Sequence, residues 1–192
     1  YDLLVSSKFY TNAVKKTLIP SLDIIPATND LAAAEIEFVD IQEREKRLKS
    51  VLDEISDYDN IMIDCPPALG LLTINGLVAS DSVIIPLQCE YFALEGLTSL
   101  MKTIRSIQRS FNQDLVIQGV VLTMFDKRNS LSSLIETDVR ENLGKMVYST
   151  TIPRNVRIAE APSHGKPVLI YDVSCPGSKA YIELAKEVIL KQ

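Results

Sequence analysis

The stretch N-I-M-I-D-C-P-P, Asn60–Pro67, sets an apolar run directly before a carboxylate and ends it with two prolines. Ile61, Met62 and Ile63 form the short unbroken apolar segment expected of a strand buried on both faces of a parallel sheet. Asp64 then stands at the strand's carboxyl end, where open parallel α/β sheets bind their ligands. A carboxylate there has two readings: it holds a metal-bound water beside a phosphate, or it caps the helix that follows. Pro66 and Pro67 cannot extend a ladder, so they fix the point where the chain leaves the sheet.

Working outward, further strands are expected at Leu22–Ala27, Asp81–Gln88, Leu115–Phe125 and Met146–Ile152, the third being the strongest. Between them run helical patterns. Short helical pieces precede Pro20, and T-N-D at 28–30 offers an N-cap before Leu31–Val39. A charged helix is expected over about 41–55, with Glu43–Arg47 and Glu45–Lys49 as i,i+4 pairs on a solvated face. Leu69–Ala79 and Ala93–Phe111 follow, the latter with Leu97, Leu100, Ile104 and Ile107 at helical spacing. Helices from about Leu131 to Leu143 and over Ser178–Leu190 complete the set; the last carries an apolar stripe of Tyr181, Leu184, Ala185, Val188 and Ile189. Strands alternating with helices predict an α/β fold: a mostly parallel, doubly wound sheet with helices on both faces, in one domain spanning 1–192.

Composition narrows the function classes. With 46% hydrophobic and 23% charged residues in 192, the chain is that of an ordinary globular domain. No apolar run approaches the ~20 residues that span a bilayer, and Y-D-L-L-V-S-S-K is no export signal, so a cytoplasmic location is expected. Cys65, Cys89 and Cys175 have no C-x-x-C spacing, which argues against structural zinc and a disulfide framework. A net charge of −5 excludes wholesale electrostatic binding to nucleic acid and leaves room for a local basic patch. A cysteine hydrolase built on Cys65 and the single His164 has only the presence of both residue types behind it.

Five segments together resemble the ParA/Soj chromosome- and plasmid-partitioning ATPases, a branch of the deviant Walker P-loop proteins that also includes MinD. They are I-P-A-T-N-D-L-A-A-A-E-I-E (25–37), Y-D-N-I-M-I-D-C-P-P-A-L-G-L-L-T-I-N-G-L (58–77), I-P-L-Q-C-E-Y-F-A-L-E-G-L (85–97), L-T-M-F-D-K-R (122–128) and T-I-P-R-N-V-R-I-A-E-A-P-S-H-G-K-P (151–167). The resemblance implies a P-loop NTPase-like fold and the use of ATP with Mg²⁺. It makes Asp64 the Walker B aspartate, acting on Mg²⁺ through water, with Pro66 and Pro67 opening the switch segment beside the γ-phosphate. It puts Gln88, Glu90 and Tyr91 near the nucleotide and dimer interface, and Asp126, Pro153 and Asn155 around the adenine. Arg128 and Arg157 match arginines that the family uses on DNA without reading sequence. It further implies an ATP-state homodimer, a ParB-like partner, and a place on the nucleoid.

The arginines have independent sense, since Lys127, Arg154 and Lys166 lie near them in sequence and such a patch contacts phosphates without reading bases. The departure from the family is a missing G-x-x-x-x-G-K-S/T loop: Gly144-Lys145 is followed by Met146 and Gly165-Lys166 by Pro167. The family carries that loop, its lysine and a central strand in a segment before the point matching Tyr1, so the chain reads as an N-terminally shortened member. Without the backbone cradle, Asp64 alone cannot bind ATP tightly. Neighbours of a central strand would expose long apolar ladder edges, which predicts marginal stability as a monomer. The competing reading is a remnant that binds no nucleotide and serves as a DNA- or protein-interaction module. Membrane cycling of the MinD kind is disfavoured, because E-L-A-K-E-V-I-L-K-Q adds too little apolar length after the last helix.

Overall fold

Where β-branched runs find a partner strand they form sheet, and elsewhere the chain coils into helices. A computed structural model describes residues 1–5, 10–66 and 68–191. These fall into two compact units, 1–81 with 103–115, and 82–102 with 116–192.

In the first unit, helices α1 (Asp2–Val5) and α2 (Tyr10–Ala13) precede two short antiparallel strands, β1 (Lys15–Lys16) and β2 (Asp23–Ile24). Helices α3 (Ala34–Glu37), α4 (Arg47–Leu52) and α5 (Leu71–Ala79) follow. Leu4, Ala34, Phe38 and Leu71 form their shared apolar cluster, with Tyr1, Leu31 and Leu48 packed around it. Asn75 of α5 is buried, and its side chain is fully used. Its Nδ2 donates to the Arg44 and Leu71 carbonyls (2.9 and 3.0 Å), and its Oδ1 accepts from the Leu48 N–H (3.0 Å). A buried amide satisfied on both sides ties α4 to α5 without an unpaired polar group.

The second unit holds three parallel strands in the order β3 (Ser82–Gln88), β4 (Val116–Phe125), β5 (Val147–Pro153). Parallel neighbours need a crossover connection, and each here is helical. Helix α6 (Ala93–Ser110), whose residues after 102 group with the first unit, joins β3 to β4, and α7 (Ser130–Leu143) joins β4 to β5. Short helices α8 (Val156–Glu160) and α9 (Val168–Tyr171) lead to α10 (Pro176–Leu190). Val121, Tyr148 and Ile152 make the core against Ala180, Leu184 and Val188 of α10. Among the described residues no helix is long and apolar enough to cross a membrane.

Four expectations need correction. The strand over Ile61–Ile63 does not form: this segment has no ladder, and Ile61 and Met62 are 45% and 84% exposed. A three-residue apolar run becomes a strand only when another backbone pairs with it, and among the described residues β1 pairs with β2, and β3 with β4, but nothing pairs with 61–63. For the same reason the strand at Leu22–Ala27 shrinks to Asp23–Ile24.

The charged helix of 41–55 contracts to α4 because Glu43 takes a left-handed conformation (φ 53°), so 43 and 47 never share a helical face. Glu43 binds Lys46 instead (2.6 Å), and Lys49 binds Asp53 (3.2 Å). The stripe of α10 is rotated by one residue, to Gly177, Ala180, Leu184 and Val188. A Cβ at Gly177 would lie 2.5 Å from Ile158 Cδ1, so the small residue lets α10 approach α8.

Candidate functional site

In the second unit all three strands point their carboxyl ends the same way, and the singled-out residues from Gln88 onward lie at or just after those ends. Gln88 ends β3 opposite Thr123, and Phe125 ends β4 opposite Pro153 of β5. The Arg154 N–H donates to the Phe125 carbonyl (3.1 Å), which holds the loops after β4 and β5 together. Asp126, Pro153 and Asn155 therefore belong to one rim. Met124, just before that rim, is at φ 53°, a conformation costly for a residue with a side chain. The β4–β5 register shifts between Leu122 and Phe125, and this kink returns Phe125 to the core.

Each loop is stiffened by its own polar side chains. Asp126 Oδ1 accepts from the Arg128 N–H and Nε (both 3.0 Å), and Oδ2 accepts from Nη2 (2.8 Å). The Arg128 guanidinium holds the Asp126 carboxyl down at about 2. Asn129 caps α7 by accepting from the Leu131 N–H (3.0 Å), and Asn155 caps α8 by accepting from the Arg157 N–H (2.9 Å). Arg157 Nη1 donates to Glu160 Oε2 (2.9 Å), and its Nε lies 3.5 Å from Asp172 Oδ2.

On the β3 side, Gln88, Glu90 and Tyr91 border a groove of about 420 Å³ whose walls include Ile85, Leu87, Leu97 and Leu100. Tyr91 and Phe92 are 76% and 72% exposed and meet edge to face at 5.1 Å.

Asp64 belongs to the first unit. It is exposed and makes no side-chain hydrogen bond or ion pair among the described residues, which leaves its carboxylate available to a hydrated cation. Pro66 is tied down from α5, because Thr73 Oγ1 donates to the carbonyls of Pro66 (3.3 Å) and Ala68 (2.5 Å). Pro67 lies outside the described residues.

Sequence reasoning missed Glu35. Its carboxylate accepts from the Leu71 and Leu72 N–H groups (2.9 and 3.0 Å), so it caps the helix that follows the Asp64 segment. The partners are 36 and 37 residues apart, and no local spacing announces such a cap. The cysteine-hydrolase reading gains nothing: burial and the Asp64 charge push the Cys65 thiol up, opposite to the need of a nucleophile, and His164 stacks on Tyr171 at 4.9 Å.

These residues fit Mg²⁺ in part. The ion accepts a single carboxylate when water and phosphate oxygens fill its remaining positions, which suits Asp64. No cluster of three or more acidic, cysteine or histidine side chains able to hold a metal exists among the described residues. For the triphosphate, 1–192 contains no G-x-x-x-x-G-K-S/T run, so these residues do not include the backbone cradle that such a loop provides.

A family model described as an AAA domain matches residues 1–117. The chromosome partitioning protein ParA of Caulobacter vibrioides is 52% identical over 195 residues, covering 100% of this chain and 73% of that protein. The sporulation initiation inhibitor protein Soj of Bacillus subtilis is 53% identical over 189 residues, covering 98% of this chain and 75% of that protein. Among solved structures, cobyrinic acid a,c-diamide synthase from Mycobacterium smegmatis with bound ATP analog and magnesium superposes with a TM-score of 0.79 at 33% identity, covering 96% of this chain and 68% of that one. With about half of its positions identical to chromosome-partitioning proteins along essentially its whole length, and with a parallel α/β fold, this chain belongs to the ParA/Soj family of partitioning ATPases.

Proposed function

We propose that this chain forms a single ATPase domain of a chromosome- or plasmid-partitioning system, acting on DNA in the cytoplasm at the nucleoid. The observation that carries the reading is the 52–53% identity to ParA and Soj across the segments that hold every candidate residue. Asp64 would hold Mg²⁺ through a water, and Pro66 and Pro67 would start the segment that responds to the γ-phosphate. Asp126, Pro153 and Asn155 form the adenine rim, for which the pairing of Phe125 with Pro153 provides a rigid base. Gln88, Glu90 and Tyr91 face the nucleotide and the second copy in the ATP-state homodimer. Arg128 and Arg157 contact DNA phosphates, and a ParB-like protein stimulates hydrolysis. Bound ATP with Mg²⁺ would supply the phosphoryl group for that hydrolysis.

A second reading has a specific observation behind it. Residues 1–192 contain no phosphate loop of the Walker A spacing, which favours an interaction module that binds DNA or protein without nucleotide. Titration calorimetry with Mg²⁺-ATP separates the two, using 1–192, its Asp64→Ala variant, and the same chain extended to the next upstream in-frame start. Binding by the extended chain that weakens on Asp64→Ala supports the ATPase. Binding by neither form gives the field to the interaction module. Tight binding by 1–192 itself overturns the nucleotide-site assignment above.

A further inference from the structure

The two arginines assigned to DNA are each already engaged by a carboxylate. Arg128 presents Nε and Nη2 to the two oxygens of Asp126, at 3.0 and 2.8 Å. Arg157 is held by Glu160 at 2.9 Å and by Asp172 at 3.5 Å, and the Tyr171 hydroxyl donates to the same Glu160 oxygen (3.3 Å). Nearby, Lys127, Arg154 and Lys166 are exposed and make no ion pair among the described residues. The arginines leave neighbouring strand ends, three residues after Phe125 and four after Pro153, so both clamps stand on one rim.

A guanidinium grips carboxylate and phosphate in the same way, through paired N–H groups. A phosphate that engages the Nε–Nη2 edge of Arg128 must displace Asp126, and it then sits within a few ångströms of the displaced charge, well inside a Debye length of ~8–10 Å. We propose that Asp126 and Glu160 are built-in competitors of phosphate, which keep the basic rim in a low-affinity state until DNA draws the arginines away. The proposal rests on the reading of Arg128 and Arg157 as phosphate contacts. Asp172 plays a lesser part, because its Oδ1 is occupied by the Ser174 and Cys175 N–H groups (both 3.1 Å) and holds the turn before α10. Arg128 is 90% exposed in its side chain, so the competition is modest and readily reversed.

The test is fluorescence anisotropy of a labelled random-sequence DNA duplex with nucleotide-free 1–192, where an adenine role of Asp126 does not enter. Asp126→Asn keeps the acceptor for the Arg128 N–H, and Glu160→Gln keeps the shape of the helix end; circular dichroism verifies that both variants retain their helices. Each substitution is expected to tighten binding about threefold and the pair about tenfold, in keeping with the energy of exposed ion pairs. The same pair placed on Arg128→Ala/Arg157→Ala should give no gain. Unchanged affinity, or a gain that persists without the arginines, overturns the competition; in the latter case only net charge is at work. If the arginine variant binds DNA as well as the unsubstituted chain, the DNA reading itself fails. If arginine removal weakens binding while the carboxylate variants change nothing, the competition fails and the DNA reading stands. If no form binds, including the one with both carboxylates neutralised, the competition falls, because releasing both arginines then gains nothing.

Discussion

Tyr148 is wholly buried, and its hydroxyl has no hydrogen-bond partner among the described residues. Its ring is closely approached at two points: Lys191 Nζ lies 4.1 Å from the centroid, and a Cβ at Gly119 would come within 2.6 Å of Cε2. Two opposite effects follow from one side chain. Tyr148→Phe removes an unpaired polar group and should stabilise the chain by about 1 kcal/mol in urea unfolding. Gly119→Ala forces a methyl into the ring and should destabilise it by about 1–3 kcal/mol. A loss of stability for Tyr148→Phe would mean that the hydroxyl is satisfied after all. Glu187 gives a second residue-scale test, because its carboxylate accepts from the Ser149 and Thr150 N–H groups (2.8 and 2.7 Å) and from the Thr150 hydroxyl. Burial pushes that carboxyl up, but these hydrogen bonds and the Lys191 charge outweigh it, and its value settles below the ordinary 4.5. A depressed carboxylate stabilises the fold above its unfolded value, and the contribution is lost as the pH falls through the lower native value. Glu187→Gln should therefore melt below the unsubstituted chain at neutral pH, and the gap should close on acidification; a gap that stays constant with pH would rule out the ionised clamp.

At the scale of elements, what was legible in the sequence is what finds its partner nearby. Strands β3, β4 and β5 pair with one another and formed within a residue or so of their expected bounds, with α6 and α7 between them. Ile61–Ile63 has the same apolar chemistry and no ladder, because pairing is a property of two backbones and not of one segment. Asp126, Pro153 and Asn155 were named by the family resemblance and not by local pattern, and the Phe125–Pro153 pairing sets them on one strand-end rim. The carboxylates on Arg128 and Arg157 were not read as clamps, although Asp126 and Glu160 lie only two and three residues from the arginines, because sequence does not reveal whether such neighbours turn toward each other. Glu35 shows the long-range version of this limit. It caps α5 across more than thirty residues of chain, and its removal leaves two helical N–H groups without a partner. Glu35→Ala should destabilise the first unit by about 1–2 kcal/mol, and hydrogen exchange should show the Leu71 and Leu72 amides losing protection ahead of the rest of α5. Equal protection in both proteins would assign the cap no weight.

For the whole molecule, the decisive feature is the outer edge of β3, which pairs with no strand among the described residues. The Cys89 N–H donates to the Thr123 carbonyl (3.4 Å), so in a parallel strand residues 85, 87 and 89 face β4 while 84, 86 and 88 face outward. Pro86 has no N–H to offer, which interrupts the outward row of donors between Ile84 and Gln88 and blunts the edge without closing it. Beside it lies the groove with the exposed Tyr91 and Phe92 at its mouth. An open ladder next to an apolar groove draws in another backbone, and in a solution of this chain alone the only one on offer is a second copy. Sedimentation velocity across a concentration series should therefore show 1–192 passing from monomer to larger species. Gln88→Pro, at an exposed position, removes a further outward N–H group while leaving every bond to β4 in place, and should move that association to higher concentration. A single monomeric species at all concentrations would show that Pro86 by itself suffices to protect the edge. Association unchanged by Gln88→Pro would move its origin to other exposed apolar residues, with Met62 the first to replace.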